Sequence, residues 1–241
     1  MGWLAGCLGV LALGVVVTAW LDCVRPTLGR HQLLQCLGWL WAGGFLSVML
    51  VPQAQAEVPS AALRLRAQLI RESQAAWGLA APSATFAAQI HQESHWRSEA
   101  ISPVGAVGLA QFMLATARWL PSVRPELGSP QPTHPIWAMR AMLQYDHWLW
   151  QRVSAANDCE RMAKTLRAYN GGLGWIRRDE AQAQRNAIDP AINFGQLDTV
   201  NSGRSRAAFR ENTAYPRLIL LKWEPAYVAA GFGPGVCGGL I

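Results

Sequence analysis

The 241-residue sequence has few charged residues and has no cysteine motif typical of zinc or redox sites. Only 15% of its residues are Asp, Glu, Lys or Arg, whereas 51% are hydrophobic. None of its five cysteines forms a Cys-x-x-Cys pair, so neither kind of site is indicated. The positive residues are almost all arginines and are scattered along the chain, although the net charge is +6. This scattering argues against a nucleic-acid-binding patch, and we expect no nucleic acid as a partner.

Charge is missing above all from the first 56 residues. Residues 3–21 and 33–51 are two apolar segments, each about long enough to cross a bilayer as a helix. Arg25 and Arg30 lie between them, and positive loops tend to stay on the cytoplasmic side. The sequence therefore predicts an inner-membrane hairpin followed by one domain, residues 57–241, that faces the periplasm.

A cleaved signal sequence is an equally good interpretation of the same region. Arg25 and Arg30 would be its basic start, residues 33–50 its apolar core, and Ala54-Gln55-Ala56 its cleavage site. The mature chain would then begin after Ala56, and this interpretation also exports the following domain. Two core helices of a soluble fold are a weaker alternative, because uncharged stretches of this length seldom pack inside so small a domain.

Residues 57–241 contain only two cysteines, Cys159 and Cys237. Disulfides form and persist in exported proteins. The pair is therefore a candidate disulfide, although sequence spacing alone does not establish the geometry that the bond needs.

The pattern of apolar residues after residue 57 predicts a mostly α domain. Apolar positions recur at helical spacing, and we find neither an alternating strand pattern nor an internal repeat. Five prolines exclude regular structure from residues 121–135, and Ser83 is a candidate N-cap. The predicted helices are Leu63–Trp77, Ser83–Trp96, Gly105–Leu120, Ile136–Val153, Cys159–Tyr169, Leu173–Ala187 and Glu211–Trp223.

Glu93 is the clearest candidate for a catalytic residue. It lies near the end of a predicted amphipathic helix, beside Phe86, Ile90 and Trp96. Apolar surroundings disfavour a charged carboxylate and raise its pKa, as a general acid at neutral pH requires. Taken alone, however, Glu93 is better interpreted as an ordinary solvated helix residue.

Four motifs together resemble those of the lytic transglycosylases and goose-type lysozymes. Glu93-Ser94 is similar to the family's Glu-Ser pair, and Gly108-Leu109-Ala110-Gln111 to its Gly-Leu-Met-Gln segment. Residues 168–172 match its Ala-Tyr-Asn-x-Gly motif, and Tyr215 its late helical tyrosine. The resemblance covers roughly residues 65–223 and implies a lysozyme-like fold. Three positions depart from the family pattern, namely Ala110 for Met, Leu114 for Pro and Pro216 for a β-branched residue.

The resemblance also implies a peptidoglycan substrate and a role for each matched residue. Glu93 would be the single catalytic acid/base that cleaves the bond between N-acetylmuramic acid and N-acetylglucosamine and forms a 1,6-anhydro product. Hydrolysis at the same site is the alternative, and cell lysis or local wall opening are the implied roles. The substrate-binding residues would be Ser94, Ser102, Gln111, Met113, Tyr169, Asn170, Glu211 and Tyr215.

The sequence leaves two alternatives to a peptidoglycan-cleaving enzyme. His91 and His95 are four residues apart, a spacing that can bind zinc, but no third ligand is evident. We therefore expect no metal and no cofactor. A membrane-anchored protein that only binds glycan is the other class, and the matched residues at 93, 111, 169 and 170 argue against it.

Overall fold

The computed structural model describes residues 58–238, and this part of the chain is mostly helical. No strand occurs among these residues, in which β-pairing is limited to isolated bridges between Ile101 and Val107 and between Val107 and Phe112. The mostly α prediction is confirmed. The helices are α1 (Ser60–Trp77), α2 (Ser83–Ser94), α3 (Leu114–Val123), α4 (Pro135–Trp150), α5 (Asp158–Gly171), α6 (Leu173–Arg185), α7 (Arg206–Arg217) and α8 (Glu224–Ala229).

The predicted membrane segments, residues 3–21 and 33–51, lie outside the described residues. Within residues 58–238 no helix is both long and apolar enough to cross a membrane.

Helix α2 runs through the centre of the described domain. Ten of its 12 residues are buried, and Ala84, Ala87 and Ala88 let neighbouring helices approach closely. It packs against α1, α8 and a π-helical segment, Leu218–Trp223, that joins α7 to α8. Buried side chains such as Phe86 and Ile90 each contribute about 1.5–3 kcal/mol through the apolar area that they remove from water. The helix that carries Glu93 is therefore held firmly by the core.

The structure corrects one predicted helix. Residues 105–113 form a compact loop, and α3 begins only at Leu114 rather than at Gly105. Gly105 and Gly108 have φ of 85° and 80°, and Gln111 has φ of 48°, values that no α-helix contains. A Cβ on Gly108 would lie 1.8 Å from the carbonyl oxygen of Pro132, so only glycine fits there. Gly108, which the sequence predicted inside a helix, therefore lies in a tight turn against a neighbouring segment.

Several helix ends also differ from expectation. Helix α3 continues through Pro121 to Val123 and α4 begins at Pro135, although five prolines predicted no regular structure in residues 121–135. Ser83 is the first residue of α2 and not its N-cap, and its hydroxyl instead contacts that of Ser73 at 2.8 Å. Helix α7 starts at Arg206, five residues before the predicted start. Pro216 lies inside α7 and has no N–H to donate, and the chain widens into the π-helical segment just after it.

The C-terminal segment packs against the start of α2. Cys237 forms a disulfide with Cys159 of α5, 78 residues earlier. The amide of Ala84 donates to the carbonyl oxygen of Pro234 at 3.1 Å, and the amide of Val236 donates to Thr85 Oγ1 at 3.0 Å. The disulfide thus holds in place a segment that supports the base of the Glu93 helix.

Candidate active site

Glu93 occupies the last turn of α2, which ends abruptly one residue later. His95 and Trp96 have φ of 54° and 65°, a left-handed conformation that is unfavourable for residues with a β carbon. Trp96 is fixed there because its indole Nε1 donates to the hydroxyl of Tyr227 at 2.6 Å. This sharp end leaves Glu93 half-buried at the edge of the core.

The hydroxyl of Tyr215 donates a hydrogen bond to Oε1 of Glu93. Burial raises the pKa of Glu93 to about 8, the hydrogen bond from Tyr215 opposes the rise, and the negative charge of Glu211 adds to it. None of the ion pairs within residues 58–238 involves Glu93. At neutral pH Glu93 is therefore mostly protonated and can donate a proton.

The hydroxyl of Ser94 points into the protein. Ser94 is only 1% exposed, and its Oγ donates to the carbonyl oxygen of Leu109 at 2.7 Å. This bond ties the end of α2 to the loop of residues 101–113. At the other end of that loop, Met113 is 46% exposed and offers an apolar side chain to solvent.

Ser102 and Gln111 stabilise the loop of residues 101–113 from within. Ser102 Oγ accepts a hydrogen bond from the amide of Ala106 at 2.9 Å. Nε2 of Gln111 donates to the carbonyl oxygens of Gly108 at 2.8 Å and Ala100 at 3.1 Å. Both side chains are half-buried, so they shape this wall of the site.

Tyr169 and Asn170 lie at the C-terminal end of α5, as the sequence predicts. The hydroxyl of Tyr169 donates to the carbonyl oxygen of Ala110 at 2.7 Å, which joins α5 to the loop of residues 101–113. Asn170 Nδ2 contacts Oε1 of Glu211 at 3.5 Å. These contacts bring the second, third and fourth sequence motifs together around the end of α2.

Asn212 is a site residue that sequence reasoning missed. It is 2% exposed, and its Nδ2 donates to Asn170 Oδ1 at 3.0 Å and to the carbonyl oxygen of Arg167 at 2.8 Å. A Cβ on Gly171 would lie 2.6 Å from that nitrogen. The two glycines after Asn170 were the available signal, since the first of them makes room for this amide.

A cavity of about 280 Å³ adjoins Asn170 and Glu211. Trp175, Arg204 and Ser205 also line it, so it combines an aromatic ring with polar groups. Such a mixture is typical of ligand sites, which need apolar contact and a few orienting polar groups.

A second carboxyl group near Glu93 was also missed. Asp146 of α4 is fully buried, and the proximity of Glu93 contributes to raising its pKa. The sequence signal was a lone acidic residue in a Trp-rich apolar helix. In that helix Trp137 is buried, and Trp148 and Trp150 are half-buried.

His91 and His95, whose spacing could bind zinc, instead pack against each other, with ring centroids 4.8 Å apart. Nδ1 of His91 shares a hydrogen bond with the hydroxyl of Tyr227 at 2.8 Å, and the same hydroxyl accepts from Nε1 of Trp96. Burial lowers the pKa of His91 to about 4, with His95 and Lys222 adding to the effect, and the ring stacks on Trp223 at 4.0 Å. Residues 58–238 contain no group of three or more side chains that could hold a metal ion.

Comparison with known proteins agrees with this arrangement. Residues 69–192 match the family model of the transglycosylase SLT domain. The chain is 30% identical over 107 residues to the membrane-bound lytic murein transglycosylase F of Shewanella halifaxensis. The aligned region covers 44% of this chain and 21% of that protein. It is 36% identical over 92 residues to the protein of the same name from Pasteurella multocida, covering 38% of this chain and 17% of the relative. The matched regions are thus about a fifth of each relative's length.

The fold is similar to that of the 70 kDa soluble lytic transglycosylase of Escherichia coli. The TM-score is 0.51 at 20% sequence identity, and the match covers 92% of this chain and 30% of the other. The family model spans more than half of the sequence, and its residues include Glu93, Gln111 and Tyr169. The chain belongs to the transglycosylase SLT domain family.

Proposed function

We propose that this protein cleaves the β-1,4 bond between N-acetylmuramic acid and N-acetylglucosamine in peptidoglycan, with Glu93 as its acid/base. The observation that carries the proposal is the half-buried Glu93 carboxyl group, which accepts a hydrogen bond from Tyr215 and whose pKa burial raises to about 8. The names of the relatives, which are murein transglycosylases, support the substrate class.

The proposed reaction needs only one titrating carboxyl group. Glu93 donates its proton to the glycosidic oxygen as the bond from that oxygen to C1 of the muramic sugar breaks. The carbonyl oxygen of the substrate's own acetamido group stabilises the positive charge at C1. The Glu93 carboxylate then takes the proton of the C6 hydroxyl as O6 bonds to C1, which yields the 1,6-anhydro product and restores the protonated Glu93 without consuming water.

Tyr215 has a defined part in this cycle. Its hydroxyl donates to the Glu93 carboxyl group and therefore stabilises the carboxylate that forms after the first proton transfer. The opposing effects of burial and this hydrogen bond keep the pKa of Glu93 near the pH at which it must both donate and accept a proton.

We propose that the remaining predicted residues bind or frame the glycan. Met113, Asn170 and Glu211 are accessible at the rim and would contact the sugars. Ser94, Ser102, Gln111 and Tyr169 would act by holding the loop of residues 101–113 in the shape that the glycan needs, because their hydrogen bonds are made within the protein.

The direct test compares Glu93→Gln with Glu99→Gln in the full-length protein. Glu99 is an exposed residue six positions later, so its substitution makes the same Glu-to-Gln change at a residue outside the predicted site. We expect the Glu99 variant to release soluble fragments from purified peptidoglycan as fast as the wild type does. The Glu93 variant should be slower by about 10²–10⁴-fold, the usual contribution of general acid–base catalysis. Equal rates for the two variants would overturn the assignment of Glu93.

Mass spectrometry of the fragments decides between lyase and hydrolase. An anhydro product is lighter than the hydrolysed product by one water molecule. The exposed Glu211, close enough to influence Glu93, is a carboxylate that could activate water. Hydrolysed ends that disappear in Glu211→Gln would therefore favour the lysozyme-type reaction. A wild type that only sediments with peptidoglycan would indicate a binding protein.

We further propose that the protein acts on the periplasmic side of the inner membrane, in lysis or local wall opening. Peptidoglycan lies there, the Cys159–Cys237 disulfide suits an oxidising compartment, and the apolar segments 3–21 and 33–51 suit a membrane anchor or an export signal. Fractionation of cells with an antibody against residues 57–241 tests this. A chain shortened by about 56 residues in the soluble periplasm would favour the signal sequence.

A further inference from the structure

Asp146 and Gln89 form a buried polar contact beneath Glu93. Both side chains are 0% exposed, and Nε2 of Gln89 reaches Oδ1 of Asp146 at 3.4 Å. Gln89 precedes Glu93 by one turn on α2, so the contact joins the Glu93 helix to α4.

The second oxygen of each group has no hydrogen-bond partner among the described residues. These two atoms are Oδ2 of Asp146 and Oε1 of Gln89. With Asp146 ionised, both are acceptors, and each is left unsatisfied in the protein interior, which is strongly unfavourable. With one proton on Oδ2, the same atom becomes a donor and the amide oxygen is its natural acceptor.

The surroundings of Asp146 favour the protonated form. None of the ion pairs in the described part of the chain involves it. The titratable groups that face it are Glu93 of α2, Tyr169 of α5, Tyr215 of α7 and its own neighbour Tyr145, none of which is a cation. Burial raises the pKa of Asp146 well above its ordinary value and Glu93 adds to the rise, whereas the hydrogen bond from Gln89 opposes it.

We propose that Asp146 and Gln89 form a neutral carboxylic acid–amide pair, joined by two hydrogen bonds, that positions the Glu93 helix against α4. The proposal rests on the function proposed above and adds a positioning residue to that site. Asp146 is fully buried, so it acts on the reaction through Glu93 and not by touching the glycan.

Neutrality of this pair matters for the second half of the reaction. Glu93 must become a carboxylate before it can accept the proton of the C6 hydroxyl. A fixed negative charge on Asp146 would oppose that ionisation, because like charges at close range disfavour each other. Glu93, Asp146, Tyr169 and Tyr215 form one cluster. If Asp146 stays protonated, Glu93 is the only carboxyl group of this cluster that changes charge near neutral pH.

The test is Asp146→Asn in the full-length protein, measured as peptidoglycan cleavage against pH. Asparagine supplies one donor and one acceptor, as the protonated acid does, so we expect a rate within about twofold of the wild type and an unchanged alkaline limb. If Asp146 were ionised, its replacement would lower the pKa of Glu93 and move that limb to lower pH. Such a shift, or an Asn variant that fails to fold, would overturn the proposal.

A second measurement needs no turnover and so separates this proposal from the proposed function. Chemical unfolding is followed at several pH values for the wild type and Asp146→Asn. An Asp whose pKa is raised in the folded state keeps its proton there, whereas in the unfolded chain it loses that proton above about pH 3.9. The contribution of the protonated Asp146 to the stability of the folded protein is therefore lost as pH rises. The ratio of the wild-type to the variant unfolding constant should increase about tenfold per pH unit between that value and the folded-state pKa. A ratio that does not change with pH would show that Asp146 is ionised in the folded protein.

Asp146→Ala serves as the comparison for a purely structural loss. It removes both hydrogen bonds and leaves Gln89 buried without a partner, so it should be less stable than Asp146→Asn at every pH. An Ala variant as stable as the Asn variant would show that the pair contributes nothing to positioning α2, and would overturn that part of the proposal.

Discussion

At the residue scale, the site depends on groups that are far apart in the sequence and meet only in the fold. Tyr215 and Glu93 are separated by 122 positions, yet one hydroxyl and one carboxyl group share a hydrogen bond. Burial raises the pKa of Glu93 and this bond lowers it, so the working pKa is a balance between two opposing effects. A single atom at position 215 therefore affects the pKa of the proposed acid/base.

Tyr215→Phe tests that balance. Loss of the hydroxyl removes a stabiliser of the carboxylate, so the pKa of Glu93 should rise above about 8 and the alkaline limb of activity should move to higher pH. Because hydrogen bonds to charged groups contribute about 1.5–3 kcal/mol, the maximal rate should fall by roughly tenfold or more. Tyr145→Phe, which removes a phenol hydroxyl that does not bond to Glu93, is the control for general packing. An alkaline limb that moves to lower pH in Tyr215→Phe would contradict the assigned hydrogen bond.

At the element scale, the loop of residues 101–113 is the part of the site that local sequence patterns misrepresent. Its apolar residues suggest a helix, but its left-handed positions and its approach to Pro132 require a turn. The loop is tied to α2 by Ser94 and to α5 by Tyr169. Its shape therefore decides where Gln111 and Met113 stand relative to Glu93.

Gly108→Ala should damage this loop more than Gly105→Ala does. Both glycines have φ near 80°, so either alanine bears a left-handed penalty of about 1–2 kcal/mol. Only at position 108 would the added Cβ also collide with a backbone carbonyl oxygen, whereas at position 105 it meets nothing within 4 Å. We expect Gly108→Ala to be less stable than Gly105→Ala by at least about 1 kcal/mol in urea unfolding and to lose most of its activity. Equal stability of the two variants would argue against the close approach to Pro132.

At the scale of the whole molecule, a cross-link joins α5 to the segment that packs on the start of α2. The disulfide between Cys159 and Cys237 closes a loop of 78 residues and so restricts the unfolded chain. The same C-terminal segment bonds to Ala84 and Thr85, at the end of α2 opposite to Glu93. Support for the Glu93 helix thus comes from both of its ends.

The double variant Cys159→Ser/Cys237→Ser should be less stable than the wild type by about 2–5 kcal/mol, the range typical of a disulfide that closes a long loop. Thermal unfolding with and without a reductant measures the effect. Reductant should lower the melting temperature of the wild type towards that of the double variant and leave the double variant unchanged. A reductant effect of equal size in both proteins would show that the bond does not account for the difference.

The sequence alone determined the helical character of the domain and supplied most of the residues that we propose for the site. Helical spacing of apolar residues is a local property, so α1, α4, α5 and α6 were predicted to within three residues at each end. The order of the four motifs was also enough to indicate the family and Glu93. Helical spacing and motif order can both be read along the chain and need no knowledge of which residues touch in the fold.

Only the tertiary structure decided how the groups act on one another. The burial that raises the pKa of Glu93 comes from helices far away in the sequence, and Asn212 and Asp146 form their hydrogen bonds with residues 170 and 89. The turn at Gly108 exists because another segment lies against it. Periodicity records which face of a helix is apolar but not what packs against that face, so a lone Asp in an apolar helix could be identified as a partner of Glu93 only after folding placed it there.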